Sequence, residues 1–229
     1  MRFQDAAPDA RAVVYAGIQA DPLVARASTL LGDASLEERI LARAAMNGMS
    51  SDATVWRTMF PGLFGPGRPA GPERDRSEAI LAVAVAVAER GEQVRSQVRG
   101  AIVESLTETL VRRRASVVAA SGAAPAVRRE RRILFDGVRA EIHPYDVTIE
   151  TPGATEAIDC KWGARGINAD VLHQLDDART HSADEDESLV ASLVVFDARR
   201  SCDIRLARQT APHESTRIVS LETLDELAR

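Results

Sequence analysis

Near Arg132 the hydrophobic period of the chain changes, and that change bounds what it can fold into. Upstream, Val94, Val98, Ile102, Leu106 and Leu110 recur every four residues with charges between them, the spacing of a helix face. Downstream, short apolar runs separated by Gly and Pro carry the signature of strands. Helices followed by strands predict an α/β fold, with a mixed central β-sheet flanked by helices and entered through a helical N-terminal half. The expected division is a helical region over 1–100 and a sheet-bearing domain over 101–229.

The helical half has local start and stop signals. Ser35 precedes LEERILARAAM, and Glu38 three residues later completes a capping box. Residues 60–73, FPGLFGPGRPAGPE, are dense in Pro and Gly and predict a loop or linker. Ser77 to about Ser121 reads as persistently helical, with Gly91 and Gly100 placed to bend or split it. Its apolar stripe would suit a partner subunit or the chain's own sheet. Ala44, Gly48 and Val55 fall near the spacing of a helix-turn-helix, with Val55 one residue late and Arg57 the lone basic residue on the second helix. An ordinary helical hairpin fits the same residues.

The strands that follow are also legible. Asp136-Gly137 between apolar runs is a hairpin signal, and Pro152-Gly153 joins DVTIE to EAIDCKW. Asn168 is placed to cap a helix, ADVLHQLDDART, after which LVASLVVF reads as a strand buried on both faces. IRLARQ and RIVSL are candidate further strands, and ETLDELAR a closing helix.

The longest apolar run, Ala79 to Ala88, is ten residues, half of the roughly 20 that a membrane-crossing helix needs. With no secretory pattern at the start and only Cys160 and Cys202, a cytoplasmic protein without a disulfide framework is expected. The net charge of −5 hides an asymmetry. Residues 90–140 hold 11 arginines against 5 acids, and 141–200 hold 13 acids against 5 bases. A basic approach surface beside an acidic centre suits an enzyme acting on phosphates. Solvated arginine-rich helix faces are the plainer account of the same runs.

The acidic centre has internal order. Asp159 and Lys161 alternate with Ile158, Cys160 and Trp162, so a strand would send the charged pair to one face and the apolar trio to the other. Asp146 sits on the strand before. Two carboxylates brought together can hold Mg²⁺, which prefers oxygen ligands and binds phosphate directly. A neighbouring lysine can orient or deprotonate water and offset charge at the phosphorus. The backbone carbonyl of Cys160, between them, is a plausible extra ligand. An ordinary surface salt bridge is the competing account of the trio.

Pro144-Tyr145-Asp146, twelve residues, then Asp159-Cys160-Lys161 resembles the PD-(D/E)XK nuclease superfamily of restriction enzymes, resolvases and repair nucleases. The likeness covers roughly Ile102 to Phe196, and the order helix, meander, D-x-K strand, helix, strand is similar to that superfamily's. Two departures are a tyrosine between Pro144 and Asp146 and aspartate in place of the commoner glutamate at Asp159. The resemblance implies a restriction-endonuclease-like sheet and a Mg²⁺-dependent DNA endonuclease. Asp146, Asp159 and Lys161 would be catalytic, and the first two would bind metal with the Cys160 carbonyl. An added acid from the preceding helix would be Glu108 or Glu104, with Glu130 and Glu141 as rivals nearer the sheet. Gln174 falls where some relatives carry Q-x-x-x-Y, a signature that Ala178 leaves incomplete. Arg165 and Gln174 are candidate DNA contacts, Trp162 a DNA contact or core anchor, and His143 a candidate phosphate contact. With no P-loop motif, a stand-alone homodimer acting on duplex DNA, as a type II restriction endonuclease does, is the expected form. A resolvase or repair nuclease, or a DNA-binding protein without catalysis, is the alternative.

Overall fold

The computed structural model describes residues 2–6, 10–120, 125–135, 138–139, 143–151, 154–184 and 187–229. The chain forms two compact units, one ending at Leu106 and one formed by the first strand together with residues from Thr107 onward. The division falls inside a helix, several residues beyond the boundary expected near residue 100.

The first unit contains α1 (Ala10–Gln19), α2 (Pro22–Gly32), α3 (Leu36–Met46), α4 (Ala53–Met59), α5 (Pro61–Phe64), α6 (Pro72–Ala88) and the first half of α7 (Glu92–Ala119). Leu31, Leu41, Met46, Trp56, Ile80 and Leu81 are almost fully buried in it. Burying each such side chain contributes about 1.5–3 kcal/mol against leaving it in water. The capping box at α3 forms with both bonds: the Ser35 hydroxyl accepts from the Glu38 amide, and the Glu38 carboxylate accepts from the Ser35 amide.

Glu38 does more than cap. Its carboxylate also accepts from Arg76 and from the Ser77 hydroxyl on α6, at 3.1 and 2.7 Å. Burial works against its charge, but those bonds outweigh burial and hold the carboxyl below its ordinary value.

Four features here bear on the expected helices and loops. Residues 60–73 are not wholly loop, because α5 forms within them and buries Leu63 and Phe64. The helix expected from Ser77 is two helices, broken between Ala88 and Glu92 around Gly91, while Gly100 leaves α7 uninterrupted. The second helix of the helix-turn-helix, α4, has only 7 residues. Its Arg57 forms a two-point pair with Glu78, and its Val55 is 40% exposed. Finally, the chain opens with a strand, β1 (Arg2–Asp5), whose partner lies far along the sequence.

The second unit carries β2 (Ala126–Phe135), β3 (Val138–Arg139), β4 (Tyr145–Thr151), β5 (Ala154–Lys161), α8 (Ala169–Asp184), β6 (Ser188–Val195), α9 (Arg199–Leu206) and β7 (Arg217–Val219). The strands form one mixed sheet in the order β1-β2-β4-β5-β6-β7, with β3 also on β2. Pairing is antiparallel from β1 to β5 and parallel from β5 to β7. Parallel pairing requires crossovers, which α8 and α9 supply. β2 and β3 pair as the Asp136-Gly137 signal predicts; those two residues, like Pro152-Gly153, lie outside the described residues.

On one face, Ile133, Tyr145, Ala157, Leu193 and Val195 pack against Leu172, Leu175 and Ala178 of α8. On the other, the second half of α7 is tied to the sheet, with Arg114 on Glu156 at 2.5 Å and the Cys160 thiol on the Thr107 hydroxyl at 3.5 Å. The segment IRLARQ is not a strand. Its first three residues end α9, which buries Cys202 and Leu206 four residues apart and leaves Ile204 48% exposed. Among the described residues no helix is long and apolar enough to cross a membrane.

Because the Glu38 carboxyl is lowered on folding, its contribution is present above the ordinary carboxylate range and is lost as pH falls through the lowered value. Circular-dichroism melts should therefore show stability dropping on acidification through that range. Glu38→Gln is expected to lose about 1–3 kcal/mol at neutral pH and to respond less to acid.

Candidate functional site

The β4–β5 hairpin places the two aspartates. Thr151 pairs with Ala154, and each step away from the turn moves one residue along both strands. Val147 therefore meets Ile158, where the paired register ends, with Asp146 and Asp159 as the next residues along the two strands. The twelve residues between the two acids are a hairpin spacing, which closes them onto each other.

The acids converge on a single donor. The Cys160 amide donates to Asp146 Oδ2 at 2.6 Å and to Asp159 Oδ1 at 3.1 Å. Lys161 Nζ lies 2.9 and 2.8 Å from the two oxygens of Asp159. Strand alternation sends the Cys160 side chain to the α7 face while Asp159 and Lys161 point the other way. Asp159 is only 7% exposed, and the Lys161 side chain 27%. Burial disfavours the lysine's charge, but Asp159 and then Asp146 overcome it, so the amine is held above its ordinary value and stays protonated.

Composition marks Lys161 further. It is the only lysine in the chain, against 28 arginines. Arginine is the default cation everywhere else, and a compact ammonium is not interchangeable with a planar fork.

These groups line a cleft of about 400 Å³, with His143, Asp170 and Gln174 also on its wall. Asp159 and Lys161 sit at the C-terminal end of β5 where it runs parallel to β6, the end at which open α/β sheets bind ligands. A second cavity, about 490 Å³, lies along Arg68–Arg74 in the helical unit. Arg68 is paired with Glu73 there and Arg74 donates to a backbone carbonyl, so the chemistry favours the first cleft.

Gln174 holds the start of β4. Its Oε1 accepts from the His143 amide and its Nε2 donates to the His143 carbonyl, both at 3.1 Å. The Tyr145 hydroxyl, from a fully buried ring, donates to the Gln174 carbonyl at 3.3 Å. The tyrosine between Pro144 and Asp146 is thus an anchor into α8. Asn168 accepts from the Val171 amide and caps α8.

Several candidates serve other ends. Gln174 is 5% exposed and its amide is engaged with His143, so it positions Asp146 instead of reaching outward. Cys160 meets the acids through its N–H, whereas sequence reasoning looked to its carbonyl. Glu108 pairs with Arg112 at 2.7 Å and Arg129 at 3.5 Å. Glu104 belongs to the helical unit, where Tyr15 and Gln19 donate to it. Glu141 lies outside the described residues. Glu130 stands out: a carboxylate oxygen lies within 4.8 Å of one from Asp146. Its φ of 52° interrupts the β2–β4 ladder, which pairs Arg129 with Val147 and Arg131 with Tyr145. Non-glycine residues rarely adopt that conformation, and such breaks concentrate at functional sites. Nothing in the alternating pattern announces it.

Arg165 is exposed on a 3₁₀ turn, Ala164–Gly166, and Trp162 stacks on Phe196 with centroids 5.1 Å apart. The arginine runs are not a uniform approach surface. Arg112, Arg114, Arg129 and Arg131 pair with Glu108, Glu156 and Glu150 of their own unit, because acids of α7, β4 and β5 lie beside them.

No family model matches the chain, and no curated protein does. Among solved structures it is similar to protein VC1899 from Vibrio cholerae, with a TM-score of 0.52 and 16% identity. The match covers 99% of this chain and 56% of the Vibrio protein, so the chain spans little more than half that protein's length. At that identity the likeness speaks for the fold, an α/β architecture with a mixed sheet flanked by helices.

Gln174→Ala removes both bonds to the His143 backbone and strands buried polar groups. It is expected to cost about 1–3 kcal/mol in urea unfolding and to speed amide exchange at His143.

Proposed function

We propose that this chain is a Mg²⁺-dependent DNA endonuclease of the PD-(D/E)XK type, built on a restriction-endonuclease-like sheet. The observation that carries the reading is the convergence of Asp146 and Asp159 on one amide, with Lys161 on Asp159, at the wall of a cleft. The donor set suits a hard cation: carboxylate oxygens from two adjacent strands, with the nearby thiol turned away to Thr107. Asp146 and Asp159 would hold the ion, the Cys160 carbonyl is a backbone candidate, and Glu130, with a carboxylate oxygen within 4.8 Å of one from Asp146, is a further acid. Bound there, Mg²⁺ would polarise a phosphoryl oxygen and acidify a water.

The chain's own residues do the rest. Lys161, bonded to Asp159, is placed to offset negative charge growing on the phosphoryl oxygens. The Gln174 bonds to His143 and the Tyr145 anchor hold Asp146 in register. A homodimeric type II restriction enzyme on duplex DNA is the narrower form, since a two-fold dimer matches a palindromic site.

Plasmid incubated with Mg²⁺ tests this. Cleavage should vanish with EDTA and fall on the order of a hundredfold or more in Asp146→Asn, Asp159→Asn and Lys161→Ala, while melting temperatures stay close to wild type. Lys161→Arg should fail to restore activity, because a guanidinium does not fit the ammonium's place. Discrete bands support restriction and smearing a non-specific nuclease. Full activity in any aspartate variant, or no cleavage in any lane, defeats the proposal.

A further inference from the structure

The turn that follows Lys161 is built tightly around its side chain. A methyl group placed on Gly166 would lie 2.9 Å from each of Cβ, Cγ and Cδ of Lys161. Those are the root and middle of the lysine chain, not its mobile tip, and real Cβ contacts essentially never come that close. The backbone of Gly166 lies outside the left-handed region, so its conformation would accept any residue. The demand for glycine here comes from the lysine.

The turn itself is clamped at three points. The Gly166 amide donates to the Gly163 carbonyl at 2.9 Å, closing the 3₁₀ turn. The Ala164 amide donates to Asp197 Oδ2 at 3.0 Å, binding the turn to the end of β6. Arg205 Nε on α9 donates to the Ile167 carbonyl at 2.8 Å. The Lys161 carbonyl accepts from the Phe196 amide at 2.9 Å, which holds the lysine's own backbone. A flexible four-carbon stem otherwise samples many rotamers. Here a fixed wall on one side and Asp159 on the other leave it one path.

We infer that Gly166, held by the Asp197 and Arg205 clamps, is a positioning residue that directs the sole lysine of the chain onto Asp159. This deepens the nuclease reading for its catalytic consequence, but the steric claim stands on the geometry alone. Any larger side chain at 166 swings the ammonium away from the acids without touching substrate or metal ligands.

Because Lys161 is the only side-chain amine, an amine-specific reagent reports on it directly. Wild-type full-length protein is treated with trinitrobenzenesulfonate, and peptide mass spectrometry separates Lys161 from the terminal amine. Gly166→Ala should label severalfold faster than wild type with an unchanged melting temperature, approaching Asp159→Asn as the benchmark for a released ammonium. Asp197→Asn loosens the same turn without adding an atom near the lysine, and should give a smaller increase. Where cleavage is measurable, Gly166→Ala should lower kcat on the order of tenfold to a hundredfold and leave KM nearly unchanged. Labelling at the wild-type rate in both variants overturns the inference, as does a rise in KM with kcat intact. Faster labelling in a protein that never cleaves DNA upholds the positioning role and defeats only the nuclease reading.

Discussion

Two like charges do not sit side by side in a half-buried sheet unless something holds them there. In this protein the β4–β5 hairpin carries the two acids to its open end, where the Cys160 amide serves both. Hydrogen bonds from a backbone amide to a carboxylate are roughly twice as strong as neutral ones. The amide and the ammonium together offset the cost of bringing the acids out of water. Slip the ladder by one residue and Asp159 would turn to the opposite face, against α7.

The supports around this pair come from distant parts of the chain and each addresses one degree of freedom. Gln174 on α8 fixes the backbone at His143, and Tyr145 pins the same segment from inside the core. Asp197 at the end of β6 fixes the turn beyond Lys161. Glu130 departs from strand geometry opposite Asp146 and carries its carboxylate toward it. Backbone held in so sparsely populated a conformation costs on the order of 1–3 kcal/mol and persists because the paired strands on both sides enforce it.

The arginines show why a charge count misleads. A local excess of base over acid reads as a surface for polyanions, yet several of those guanidiniums are bonded to acids of the same unit. Arg114, Glu156 and Ser192 form a connected group that ties α7 to the sheet. Pairs of this kind contribute orientation more than stability, since desolvation offsets much of their attraction.

What the sequence determined by itself was whatever rests on short-range rules. The capping box at Ser35, the cap at Asn168, the break near Gly91 and the facing of Asp159 and Lys161 all follow from neighbours within a few residues, whereas the strand expected from Arg132 begins earlier, at Ala126. The hairpin spacing even brought the two aspartates together on paper. Only the tertiary structure decided the rest. IRLARQ alternates like a strand but ends a helix, because Cys202 and Leu206 find a core to bury in at helical spacing. Arg2–Asp5 is too polar to announce a strand and becomes one because β2 offers a free edge. Gln174, Gly166 and Glu130 gain their roles from partners that the fold places next to them. A side chain's period is a property of its own segment, whereas its partner depends on the path of the whole chain.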